Sequence, residues 1–195
     1  MAFMNNSNGF NNQQNNNGEP KQKKNFKVGK AIYGDDGQLT VSTWNSDKGG
    51  TYAVLSIKAA IGKDPSTGMN AYEQKMSGEL PSCFLNAENL CAIMLAMKEV
   101  QPDSCDFSVD CGRSKISFKG NGNNFQIIIE NQKTGTRTIT MKAFPVGPKN
   151  VFPQWKILYD KLDICYKKIT RGNLDMDEFG TALAGDDFNN DDAPF

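Results

Sequence analysis

The chain has 195 residues, which is enough for one domain of ordinary size with a hydrophobic core and two polar tails. It contains no histidine, so it lacks the commonest general base and the commonest metal ligand of proteins. It also lacks a Walker loop, a dinucleotide-binding glycine motif and any apolar run of membrane-spanning length. We therefore expect a cytoplasmic protein that is not an enzyme and that carries no cofactor and no metal.

The net charge of zero hides an asymmetry along the chain. Residues 1–171 contain all 22 lysines and arginines but only 15 acids, which is a net charge of +7. Residues 172–195 contain seven acids and no base, which is a net charge of −7. The basic part can attract a polyanion, and the acidic part can compete with that polyanion for the same surface.

The two ends differ in composition from the middle. Residues 1–25 form an asparagine-rich arm, with eight asparagines among the first twenty positions. Such a segment buries too little apolar area to offset the entropy of ordering it, so we expect it to be disordered, and we expect a flexible acidic tail over 172–195. The folded domain is expected at 26–171. Its five cysteines form no CxxC pair, which indicates reduced thiols of an intracellular protein.

In the first half of this domain, residues 38–44 and 51–61 alternate between apolar and polar side chains. This period of two predicts half-buried antiparallel strands. A weaker strand is expected at 71–80. A helix follows, with Asn86 as its N-cap and with one apolar face at helical spacing. The residues of that face are Leu90, Ile93, Met94 and Met97.

The second half repeats the order of elements. Four strands are predicted at 105–111, 114–119, 125–131 and 136–144, separated by glycine-containing hairpins. A second helix then ends near Arg171, and its apolar stripe is Trp155, Leu158, Leu162, Cys165, Tyr166 and Ile169. The fold class is therefore α+β, in which antiparallel strands are followed by a helix, twice. We assign Phe118, Phe125 and Phe144 to the core because their neighbours are apolar.

The polar faces of the predicted strands carry the candidate binding residues. Interleaved rings and lysines on a sheet are typical of surfaces that bind single-stranded nucleic acid, since bases stack on rings and lysines contact phosphates. The residues are Trp44, Tyr52, Lys58, Lys115, Lys119 and Lys142. The alternative interpretation is that Trp44 and Tyr52 cover a sheet edge or pack under the N-terminal arm.

The last residues form a short linear ligand. Asp191 and Asp192 can steer it to a basic partner, Pro194 stiffens it, and Phe195 can fill an apolar pocket. This tip resembles that of bacterial single-stranded DNA-binding proteins, with Ala193 in the variable place. The resemblance implies a protein that coats single-stranded DNA and recruits replication, recombination and repair proteins, and whose tip competes with DNA.

The resemblance covers about the last ten residues only. The domain before the tip lacks the usual oligonucleotide-barrel pattern of the bacterial family, and this departure favours a phage-type member acting in a bacterial cell or an infected host. The order of elements is more similar to the Whirly type of single-stranded DNA binder, with an OB-fold barrel plus an added helix as the rival. A homo-oligomer is expected, since the basic excess is modest and sheet edges need cover. RNA binding or transcriptional coactivation on the same fold, and a protein-only adaptor, remain alternative functions.

Overall fold

The computed structural model describes residues 25–46, 49–75 and 77–171. Within these ranges the order is strands–helix–strands–helix, which agrees with an α+β fold built on antiparallel sheets. The first group is β1 (Asn25–Lys27), β2 (Ile32–Tyr33), β3 (Gly37–Asn45), β4 (Thr51–Lys63), β5 (Asn70–Tyr72), β6 (Ser82–Leu85) and α1 (Ala87–Glu99). The second is β7 (Asp106–Asp110), β8 (Ser114–Gly120), β9 (Asn124–Asn131), β10 (Gly135–Lys142), β11 (Phe144–Val146), β12 (Lys149–Val151) and α2 (Pro153–Arg171).

The first sheet is built around the long β3–β4 hairpin. Its hydrogen-bonded order is β1-β3-β4-β5, with β2 also on β3 and β6 also on β4, all antiparallel. Leu39 and Val41 on β3 and Leu55 and Ile57 on β4 are buried, while the residues between them point to the other side. The predicted period of two is thus present, and it gives the sheet a core face and an outer face.

The second sheet is a four-stranded meander of order β10-β9-β8-β7, with every pairing antiparallel. Its core face is fully buried at Ile116 and Phe118 on β8, Phe125 and Ile127 on β9, and Ile139 on β10. Strands β11 and β12 form a separate two-stranded hairpin.

Both helices pack onto the core faces of the sheets, and one continuous hydrophobic cluster joins the two helices and the two sheets. Helix α1 begins where predicted, because Asn86 Oδ1 accepts a hydrogen bond from the Asn89 backbone N–H at 2.8 Å. Helix α2 buries Trp155, whose indole N–H donates to Met97 O of α1 at 3.3 Å. The Trp155 ring meets that of Phe125 edge-on, with centroids 5.2 Å apart. The core therefore contains one of the two tryptophans of the chain.

The turn between β2 and β3 ties the two sheets together. Asp35 N–H donates to Thr140 O of β10 at 2.9 Å, and Asp36 Oδ1 accepts from the Thr140 N–H at 2.7 Å. Gly34 permits this approach, since a Cβ at that position would collide with Thr140 O.

Two local predictions are wrong, and one strand was not predicted. Phe144 is 55% exposed, because β10 ends at Lys142 and the chain continues into the β11–β12 hairpin instead of staying in the sheet. The strand expected at 71–80 is limited to Asn70–Tyr72, and the more important strand Ser82–Leu85 follows it unpredicted. Four-residue strands carry too little periodicity to be recognised from sequence.

All five cysteines are free. Among the residues that the structure describes, no helix is long and apolar enough to cross a membrane.

Candidate nucleic-acid interface

Three aromatic rings meet on the outer face of the first sheet. Trp44 on β3 and Tyr52 on β4 are directly paired across the strands, and their ring centroids are 6.1 Å apart. Phe84 on β6 meets Trp44 edge-on at 5.7 Å. We call Trp44, Tyr52 and Phe84 the ring cluster. This register brings Trp44 and Tyr52, each predicted on the polar face of its strand, to the same face of the sheet.

The position of Phe84 follows from strand pairing. Its Cα partner is Val54, which stands on the outer side of β4 between Tyr52 and Ser56. Cys83 and Leu85 on either side of it are fully buried, so the alternation of β6 forces the Phe84 ring outward. Its side chain is 43% exposed. Phe84 is not among the binding residues predicted from the sequence; its only signal there is the alternation of Cys83, Phe84 and Leu85 after Pro81.

The outer face of the first sheet carries lysines but no acids among its described residues. Lys58 stands opposite Gln38, and Lys27 stands opposite Ser42. Lys63, beyond the bulge of β4, stands opposite Asn70, which is on the same side of β5 as Tyr72. The other members are small, aliphatic, amide, hydroxyl or aromatic: Tyr33, Thr40, Trp44, Tyr52, Val54, Ser56, Ala60, Asn70, Tyr72, Ser82 and Phe84. A phosphate chain crossing this face would meet cations and no fixed negative charge.

The remaining predicted lysines lie on the outer face of the second sheet, where acids alternate with them. Lys115 stands between Asp110 on β7 and Glu130 on β9. Lys119 stands between Asp106 and Gln126. Opposite charges at directly paired positions attract each other, so this face offers a mixed rather than a positive potential.

Lys142, the last residue of β10, pairs with Asp35 at 2.9 Å between Nζ and Oδ2. Asp35 is distant in sequence, and only the docking of the β2–β3 turn on β10 brings the two together. The pair is exposed, so it contributes little stability, but it lowers the net charge that Lys142 presents. The structure therefore separates the six predicted residues into three on the first sheet and three on the second.

Glu73 directly follows Tyr72, the last residue of β5, and its carboxylate is already bound by a backbone N–H and two cations. Its Oε1 accepts the Ala59 N–H at 3.0 Å, and its Oε2 lies 3.5 Å from Arg137 and 3.3 Å from Lys75. Burial alone would raise the pKa of Glu73, but these hydrogen bonds and charges outweigh it and hold the pKa below its ordinary value. Glu73 is thus ionised and neutralised by its neighbours.

The predicted tip residues Asp191, Asp192, Pro194 and Phe195 lie outside the described residues, as does the arm up to residue 24. Within the described ranges, no group of three or more cysteines and acids is placed to hold a metal ion. Comparisons of the chain with protein-family models, with curated proteins and with solved structures give no match.

Proposed function

We propose that the protein binds single-stranded DNA without sequence specificity, and that it coats and protects the strand in replication and recombination. The observation that carries this proposal is the ring cluster on a sheet face that has lysines and no acids among its described residues. Stacking of a base on an aromatic side chain is worth about 1–3 kcal/mol and tolerates every base, because every base has a π-face.

The first-sheet outer face is the interface, and the second-sheet outer face is not. The rings stand only on the first, and the lysines of the second stand beside Asp106, Asp110 and Glu130. Lys27, Lys58 and Lys63 are the cations that track the phosphates. Because three lysines give weak binding alone, we propose that the working form is a homo-oligomer or a cooperative array.

The acidic tip Asp191 to Phe195 recruits replication, recombination and repair proteins in this proposal, and it competes with DNA for the basic surface. Its support is the charge split between residues 1–171 and 172–195 and the tip's composition.

For the finer fold, we propose a Whirly-like arrangement. Its support is that a group of antiparallel strands precedes each of the two helices within the described ranges. A five-stranded barrel with one added helix leaves several of these elements without a place. An experimental structure in which strands of both sheets close into one hydrogen-bonded barrel would favour the barrel.

A titration at low salt tests the binding proposal. The anisotropy of a labelled oligo-dT is followed against protein concentration, with a duplex of equal length as competitor. We expect binding to oligo-dT that the duplex displaces poorly, since paired bases offer no free faces for stacking. The absence of binding at low salt would refute the function. An RNA oligomer of the same sequence that binds equally well would favour the RNA-binding alternative, since rings and lysines do not select the sugar.

A further inference from the structure

Two more rings, one exposed and one half-buried, stand on the same outer face, at the opposite end from the ring cluster. Tyr33 on β2 is the Cα partner of Gln38, and Tyr72 on β5 is the Cα partner of Ala60. Their ring centroids are 5.8 Å apart at an interplanar angle of 45°. Tyr33 is 55% exposed, so part of its ring is open to a ligand. We call Tyr33 and Tyr72 the tyrosine pair.

We infer that the tyrosine pair is a second stacking site for the same nucleic-acid strand, so that the strand runs along β3 from the ring cluster to the tyrosine pair. This inference rests on the proposed function and adds the path and the minimum length of the ligand. A continuous strand can stack on rings at both ends of this face, and it meets no acid among the described residues of the face.

The charges at this end suit a phosphate chain. Lys58 stands directly across from Gln38, which in turn is paired with Tyr33, so β3 alone separates this cation from the strand that carries the ring. The acids nearby are already bound to other groups. Asp35 pairs with Lys142, and Asp36 accepts two hydrogen bonds from Thr140, at 2.7 and 2.9 Å.

The spacing of the two sites sets the length of strand that can use both. Trp44 and Gln38 are six residues apart on β3, which is about 20 Å at about 3.4 Å per residue. At the rise of about 3.4 Å per nucleotide of a stacked strand, this corresponds to about six nucleotides, and fewer if the strand is stretched. The β3 side chains between the two ends of this path are Thr40 and Ser42. Both are small and half-buried, so they do not obstruct a strand that lies along β3.

The experiment measures affinity against oligo-dT length, from three to about fifteen nucleotides. The proteins are the unaltered chain, the double variant Y33A/Y72A and the matched control Y33F/Y72F. We expect Y33A/Y72A to bind the shortest oligomers as the unaltered protein does. Beyond about six nucleotides it should bind about 5- to 150-fold more weakly for each lost base stack. Y33F/Y72F keeps both rings and should match the unaltered protein at every length.

The outcomes separate this inference from the function on which it rests. If Y33A/Y72A matches the unaltered protein at all lengths while Trp44→Ala weakens binding, the path is wrong and the function stands. A loss that is equal at every length also overturns the path, because it shows a general effect on the protein. If the unaltered protein binds no oligomer, both proposals fail.

Discussion

Replacing Trp44 by alanine should weaken oligo-dT binding by about 5- to 150-fold, which is the loss of one base stack of about 1–3 kcal/mol. Trp44 is the centre of the ring cluster, since its ring contacts Tyr52 at 6.1 Å and Phe84 at 5.7 Å. Removing it takes away one platform and leaves the other two rings without their common neighbour. The loss should therefore be larger than that of Tyr52→Ala or Phe84→Ala.

The same contacts predict a cost in stability that must be measured separately. Two aromatic pairs, each worth about 0.5–1.5 kcal/mol, are lost with the Trp44 ring, so the free energy of unfolding should fall by about 1–3 kcal/mol. Urea unfolding checks this value, and binding is measured where the variant is fully folded. Ile128→Ala is the matched control, because it truncates a half-buried apolar side chain on the second-sheet outer face. It should leave affinity unchanged.

The two tryptophans allow the contact itself to be observed. Trp155 is only 9% exposed and lies among core rings, whereas Trp44 is half-buried on the outer face. Trp155→Phe leaves Trp44 as the only tryptophan, and its fluorescence should be quenched by oligo-dT. Trp44→Phe leaves Trp155, and no quenching should remain. A folded Trp44→Ala protein that binds like the unaltered one, or quenching that follows Trp155, would refute the assignment of the interface.

Three further predictions concern charge. Lys58→Ala should weaken oligo-dT binding and reduce the slope of log affinity against log salt by about 0.7, which corresponds to one phosphate contact. Lys119→Ala on the second sheet should change neither the affinity nor the slope. Equal effects of the two variants would contradict the assignment of the interface to the first sheet. Glu73→Gln should lower the free energy of unfolding by about 1.5–3 kcal/mol at neutral pH, because it removes charged hydrogen bonds such as that to Arg137. Since the folded pKa of Glu73 is lowered, this stabilisation is present above the ordinary glutamate pKa and is lost as pH falls through the folded pKa. Urea unfolding should therefore show that the difference in unfolding free energy between the unaltered protein and the variant is smaller at acid pH than at neutral pH. An equal difference at both pH values would argue against this role of Glu73. Deleting 186–195 should leave oligo-dT binding equal or tighter at low salt, and weaker binding in the anisotropy titration would exclude competition by the tail.

The elements that the sequence predicts well are those with enough residues to show a period. Strand β3 alternates along its length, and β4 buries every second residue from Ala53 to Ile57. Helix α1 places Leu90, Ile93 and Met97 on its buried face after an asparagine cap. The two-residue strand β2 has no period at all, so Tyr33 gives no sign that it joins a sheet. Its side is decided by the hairpin pairing with Gln38, five residues further along the chain, and not by any alternation within β2.

The candidate site also depends on strand pairing that periodicity in the sequence does not give. Alternation puts Lys115 and Lys119 on a polar face as surely as it does Lys58, so periodicity alone ranks the three equally. What separates them is the strand beside each one. Asp106, Asp110 and Glu130 come next to the lysines only through the registers of β7, β8 and β9. Charge at a surface depends on pairing between strands, and pairing cannot be read from one strand.

The balance of rings and charges on the interface bears on which form of DNA it selects. The first-sheet outer face offers three lysines, Lys27, Lys58 and Lys63, and five rings. Three phosphate contacts give a salt slope of only about −2.1 for a single strand, whereas the rings offer several stacks of about 1–3 kcal/mol each. Duplex DNA can use the lysines but not the rings, because its bases are already stacked and paired. Under the proposed function, stacking outweighs charge on this face, so we expect it to bind single strands in preference to duplex DNA and to keep that preference as salt rises.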